Sequence, residues 1–163
     1  MTHRPEMIIT GGQTGADYGG LLAAKSLGIP TGGFAPKGFR TEKGPMSSLA
    51  ADFGLVETES FDYVERTRNN IEAADVVLII ASDMESRGTA LTDRLANRMR
   101  RPVAYIHLVN PIPKQDFVRI RQWLDHYKPG VLMIAGNRES VSPGIEQKTV
   151  KFLREVFAAE DAE

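Results

Sequence analysis

Six consecutive apolar residues, Val76-Val77-Leu78-Ile79-Ile80-Ala81, stand between Asp75 and Ser82 without any polar alternation. A strand with one wet side reads with a period of two, so an unbroken β-branched run of this length is a strand covered on both faces. Covering both faces takes helices, and a parallel sheet is the frame that supplies them. Shorter strand-like runs at Met7 to Thr10, Gly32 to Phe34, Val103 to His107 and Val131 to Ala135 alternate with segments of helical period. The helical stripes are Leu21, Leu22 and Leu27; Val64, Thr67, Ile71 and Ala74; Leu91, Leu95 and Met99; Phe117, Ile120, Leu124 and Tyr127; and Phe152, Leu153, Val156 and Phe157. These are core faces. The expected fold is a three-layer α/β/α sandwich on a mostly parallel sheet of about five or more strands.

At 163 residues the chain fits one domain, 1–163, with 158–163 read as a frayed tail. Helix ends are marked by Arg98, Arg100 and Arg101 before Pro102, and by Lys128-Pro129-Gly130. The stretch from Ala35 to Glu57 has no clear period and reads as a long loop, a feature that is usually functional or mobile. A formal net charge of −1 with interspersed charges leaves no basic stripe for a nucleic-acid backbone. With no cysteine, disulfides, thiolate chemistry and sulfur-ligated metals drop out, and no protein-ligated metal is expected. Apolar runs are strand-sized and no leader pattern opens the chain, so a cytoplasmic protein that does not engage membranes is expected.

The candidate site starts at Met7-Ile8-Ile9-Thr10-Gly11-Gly12-Gln13-Thr14-Gly15-Ala16-Asp17, where a strand runs through a glycine-rich turn into a helix. Amides and macrodipole at such a helix start favour a phosphate or another anion. It is not a Walker A loop, because Gly19-Gly20 precedes Leu21 and no Gly-Lys-Ser/Thr follows. Nor is it the dinucleotide fingerprint, since Gly12 and Thr14 break the spacing and no acid ends the second strand. What remains is a polar turn in which Gln13, Thr14 and Asp17 add donors and acceptors, the alternative being that Thr14 or Asp17 only caps the helix.

A second turn, Ser82-Asp83-Met84-Glu85-Ser86-Arg87-Gly88-Thr89, follows the central run, and the two turns can face each other at the carboxyl edge of a parallel sheet. Lys37 and Arg40 could close over a phosphate from the long loop or stay solvated. Thr67 and Asn70, one turn apart, could reach the ligand or make core hydrogen bonds. Asn137 and Arg138 follow the last strand and reach the same edge. Ser140, Ser142 and Pro143 read as capping and turn residues. His3, His107 and His126 lack ligand spacing, and Asp17 is the best candidate for chemistry among scattered carboxylates.

Together, Gly11 to Asp17, Pro36-Lys37-Gly38, Tyr63-Val64-Glu65-Arg66-Thr67 with Asn70, Asp75, Gly88-Thr89-Ala90-Leu91-Thr92 and Gly136-Asn137-Arg138-Glu139-Ser140 with Pro143-Gly144 resemble the molybdenum carrier family over nearly the whole chain. The resemblance implies a Rossmann-like fold shared with the Lonely Guy proteins. It also implies a phosphorylated ligand, either molybdenum cofactor of the molybdopterin type or a nucleotide derivative, and a homodimer or higher homo-oligomer. Lonely Guy enzymes release a base from a nucleotide with a glutamate that here is Thr92, and their first motif glycine is Arg87. A hydroxyl cannot replace that carboxylate. The expectation is therefore a binding or carrier protein using Gly11, Gly12, Gln13, Thr14, Gly15, Asp17, Lys37, Arg40, Thr67, Asn70, Ser82, Gly88, Thr89, Thr92, Asn137 and Arg138. The alternative is a nucleotide N-glycosidase with Asp17 or Asp93 as acid or base.

Overall fold

The computed structural model describes residues 2–158, so only Ala158 of the expected tail falls within it and 159–163 lie outside the described residues. β1 (Met7–Ile9) leads into α1 (Ala16–Ser26), followed by β2 (Thr31–Gly32), β3 (Phe34–Ala35), a 3-10 turn at Lys37–Phe39, β4 (Arg40–Thr41), β5 (Gly44–Pro45), α2 (Ser48–Phe53) and β6 (Val56–Glu57). Then come α3 (Tyr63–Ala73), β7 (Val76–Ala81), α4 (Arg87–Arg98), β8 (Val103–His107), α5 (Lys114–Tyr127), β9 (Val131–Gly136) and α6 (Ile145–Val156). The main sheet has five parallel strands in the order β2-β1-β9-β7-β8. β9, late in sequence, lies between β1 and β7, pairing Ile8 with Leu132 on one side and Leu78 with Ile134 on the other.

Every residue of β7 is buried. Val76, Leu78 and Ile80 join Ile8, Leu132 and Ile134 against α1, α5 and α6, through Ala23, Ile120, Leu124, Phe152 and Leu153. Val77, Ile79 and Ala81 turn the other way, toward Ile71 and Ala74 of the α3 segment and Leu95 and Ala96 of α4. The sandwich is thus three-layered, as the uniform apolar run requires. Two stripe residues stay outside the core, since Val64 is 38% exposed and Tyr127 46%. Arg101 serves two helix ends: its guanidinium donates to the carbonyl of Met99, which caps α4, and to those of Ile71, Ala74 and Glu72, closing the C-terminus of α3.

Two expectations need correction. The run Gly32 to Phe34 is not one strand, because Gly33 has φ +124° and a side chain there would meet the Thr10 carbonyl at 2.2 Å. The chain leaves the main sheet at that point, and β3 pairs instead with β6 in a separate two-stranded sheet. Nor is Ala35 to Glu57 a structureless loop. It holds the β4–β5 hairpin and α2, and Leu49, Phe53 and Leu55 pack with Leu21 of α1 into a third apolar cluster. The Leu49/Phe53 spacing is a single helical turn, too short to stand out as a period.

Candidate functional site

The carboxyl ends of β1, β7 and β9 open on one cleft, lined by residues of the opening turn, α3, the α4 N-terminus and the segment after β9. It encloses about 70 Å³. One water needs ~10–15 Å³ by such a measure, so there is room for a few waters or one oxyanion group, and none for a whole nucleotide.

The opening turn has few donors left to offer. The Gly12 amide donates to Thr10 Oγ1, the Gln13 amide to Asp17 Oδ2, the Thr14 amide to Gln13 Oε1 and the Ala16 amide to the Asn137 carbonyl. The acceptor already sitting in this turn is the carboxyl group of Asp17. Only 5% exposed, Asp17 also accepts a bond at 3.2 Å from Arg66 Nη1. Burial pushes its carboxyl above the usual carboxylate value, although Arg66 and the amides of Gln13 and Gly11 favour the charged form. Gly11 is what lets Arg66 in, since a Cβ there would lie 1.7 Å from Nη1. The guanidinium stacks 5.1 Å from the Tyr63 ring, and its Nε is buried with no partner among the described residues.

The second turn is the opposite case. Its amides at Arg87, Gly88 and Thr89 open α4 without a side-chain cap and have no protein partner among the described residues. They line the cleft, with Thr92 one turn further in, its hydroxyl donating to the Gly88 carbonyl. Asn137 holds this turn in place. Its Oδ1 accepts from the Ser82 and Asp83 amides at 2.9 and 3.0 Å, and its Nδ2 lies 2.7 to 2.9 Å from the Asp83 carbonyl, Ser86 Oγ and Thr89 Oγ1. The donor-rich wall of the cleft is therefore α4, faced by the cation of Arg66.

Glu42, from the hairpin, ties the first turn to the segment after β9. It accepts from the hydroxyls of Thr14 and Ser140 and from the Ser140 amide, with Arg138 Nε at 3.9 Å. Burial opposes its charge, but these bonds outweigh it and hold its pKa below the ordinary 4.5. Stability of this origin is present above pH 4.5 and is lost as pH falls through the lowered folded value. Glu42→Gln is expected to cost ~1–2 kcal/mol near neutrality. In urea melts at descending pH the gap to the wild type should close. A gap that persists in acid means that the charge is not what ties the hairpin down.

The cpYpsA family model matches residues 8–157, nearly the whole chain. The chain belongs to the circularly permutated YpsA SLOG family. It is also similar to a crystal structure, at 1.45 Å resolution, of a "Putative molybdenum carrier protein" from Syntrophus aciditrophicus SB. The two are 35% identical over 98% of each chain, with a TM-score of 0.87. No curated protein matches. The resemblance carried by the motifs and the Rossmann-like fold that it implies both hold in these comparisons.

Of the residues singled out in the sequence, Gln13, Asp17, Thr67, Gly88, Thr89, Thr92 and Arg138 line the cleft. Others shape it from behind. Gly12 lies against Leu49 and Leu55, Thr14 bonds Glu42 and the Glu139 amide, and Gly15 lies against the Asn137 carbonyl at φ +82°. Ser82 bonds Asn137 and Ser142, and Asn70 spends its amide on both backbone groups of Phe34, so its core role is the observed one. Lys37 and Arg40 are not in the cleft lining. The Lys37 ammonium lies over the Phe61 ring, and Arg40 donates to the Phe61 carbonyl while stacking on Tyr63. Asp93 is outside as well, accepting from the Tyr105 hydroxyl and Asn97. Sequence reasoning assigned no role to Arg66, Tyr63 or Glu42. The available signal was Arg66 itself, one turn before Asn70 on α3 and quoted in the Tyr63-to-Thr67 motif.

Proposed function

We propose that this protein binds a phosphorylated small ligand, a molybdopterin-type cofactor or a nucleotide derivative, by its phosphate end in the α4 cleft. The observation that carries the reading is the pairing of three uncommitted amides at Arg87, Gly88 and Thr89 with the half-satisfied guanidinium of Arg66. Arg66 makes a single hydrogen bond among the described residues, from Nη1 to Asp17, and a guanidinium with donors left over is suited to an oxyanion oxygen. In this reading Arg87 and Arg138 stand at the rim, and the ligand's base or pterin lies beyond the mouth of the small cavity. The phosphate end fits the donor set. For the metal end, no group of three or more His, Cys, Asp or Glu side chains that could hold an ion is present among the described residues, so the cofactor's own dithiolene would keep the molybdenum. The name of the solved neighbour supports this ligand class. We place the protein in the cytoplasm as a homodimer or larger homo-oligomer; no helix among the described residues is long and apolar enough to cross a membrane.

The N-glycosidase reading stays attached to one observation, the buried Asp17, whose burial favours its protonated form and so equips it as an acid. Thr92 in place of a second carboxylate argues for retention of the ligand over its cleavage.

Thermal unfolding with nucleoside mono- and diphosphates, nucleotide sugars, molybdopterin-type cofactor and molybdate separates the ligand classes. A ligand at one hundred times its Kd adds about 2.7 kcal/mol, which moves the midpoint by ~5–10 °C in a protein of this size. The expected result is a shift with a phosphorylated ligand and no base release on incubation. No shift with any of them sinks the binding model, and free base in the incubation moves the protein to the enzyme reading. Native mass spectrometry of protein taken gently from its own host reports the retained ligand and the assembly state together.

A further inference from the structure

The cleft proposed as an oxyanion site contains, besides its donors, a carboxylate. Asp17 is 5% exposed, lines the cleft and shares Arg66 with whatever enters. A fully ionised oxyanion placed there would bring its charge against a buried carboxylate, where screening is weaker than at the surface. An oxyanion that still carries an O–H meets the same carboxylate as a hydrogen-bond donor, and the repulsion becomes a charge-assisted bond. We propose that Asp17 makes the cleft select an oxyanion that carries a proton, inorganic phosphate or the monoprotonated form of a phosphate monoester, in preference to a sulfate, by accepting the hydrogen bond from its O–H. The inference rests on the α4 cleft being the anion site.

The charged groups facing Asp17 determine how this plays out with pH. Arg66 on α3 is bonded to it, Arg87 on α4 and Arg138 after β9 line the same cleft together with Tyr63, and Gln13, whose amide donates to Asp17, also accepts the Glu42 amide at its side-chain oxygen. Among the described residues Arg66 is the one cation bonded to Asp17, so a dianion entering the cleft competes with the carboxylate for the same guanidinium while Arg87 and Arg138 stand at the rim. One proton shared between Asp17 and the ligand oxygen eases that competition. Burial already favours that proton on the Asp17 side, so sulfate gains a partner as pH falls. Bare molybdate, a dianion at neutral pH, falls with sulfate in this selection.

Titration calorimetry with inorganic phosphate and with sodium sulfate is the test, on the wild type and on Asp17→Asn. At pH 7.5 the wild type should bind phosphate at least about tenfold more tightly than sulfate, because only phosphate has a proton to offer. Sulfate affinity should rise toward that of phosphate as pH is lowered. In Asp17→Asn, whose amide can donate to either anion, the two affinities should come together and that of sulfate should lose its pH dependence. Equal affinities in the wild type at pH 7.5, or a preference unchanged in the variant, overturn the selection by Asp17 while leaving the anion site standing. If neither anion binds the wild type at any pH, the reading of the cleft itself has failed. The wild-type comparison of the two anions decides the matter even if the variant does not fold.

Discussion

On the proposed function, Arg66→Ala is expected to weaken binding of the phosphorylated ligand by a hundredfold or more, about 2.7 kcal/mol, because it removes the best-buried of the cleft's arginines, the one held in place by Asp17. The same change leaves Asp17 buried without its guanidinium, and the carboxyl answers by holding its proton more firmly. The fold should therefore lose less than a buried unpaired charge would cost. Arg66→Lys separates charge from geometry. Lysine keeps the positive point but not the planar fork over Gly11 and against Tyr63, so an intermediate loss is expected. Calorimetric titration of the three proteins reads both effects. Full affinity in Arg66→Ala means that the ligand does not sit between α3 and α4.

Asn137→Ala is expected to be the most damaging single change outside the apolar core. Asn137 is 1% exposed and its amide holds the backbone of Ser82 and Asp83 together with the hydroxyls of Ser86 and Thr89. Losing it leaves several polar groups short of partners, for about 3 kcal/mol or more and a drop of ~6–12 °C in the unfolding midpoint. Because the second turn then wanders, ligand affinity should fall as well, although Asn137 need not touch the ligand. Asn137→Asp keeps the acceptor and loses the donors, and should land between. A melting curve within a degree or two of the wild type would mean that the turn holds itself.

Much of the frame was legible because it depends on local pattern. Val76 to Ala81 and Val103 to His107 agree with the observed strands at both ends, since an apolar run between turn residues has few other uses. The two turns were visible as glycine-rich sequence after strands. Their division of labour was not. Which amides are occupied depends on side chains that come back to the turn, Asp17 from four residues on and Asn137 from more than fifty residues away, and no spacing rule reports that. Arg66 was hidden for a similar reason: one arginine in a charged helix reads as a solvated face until the fold brings α3 over a glycine with no side chain. The positions of Lys37 and Arg40 were not legible either, because nothing in the spacing says that Phe61 and Tyr63 come to lie against these cations. The segment around Leu49 and Phe53 looked open only because its structure comes in pieces of two to six residues.

The position of β9 has a consequence for how the protein comes to life. β1 and β7 never pair with each other; each pairs with β9, which also delivers Gly136, Asn137 and Arg138 to the cleft. During synthesis the earlier strands of the main sheet can form only two separate pairs, β2 with β1 and β7 with β8, and the gap between them waits for Val131 to Gly136. Contacts that span so much sequence form late and slowly. The cleft is thereby completed only in molecules in which the sheet has closed, and a chain interrupted before Val131 would lack the wall that Gly136 and Arg138 supply.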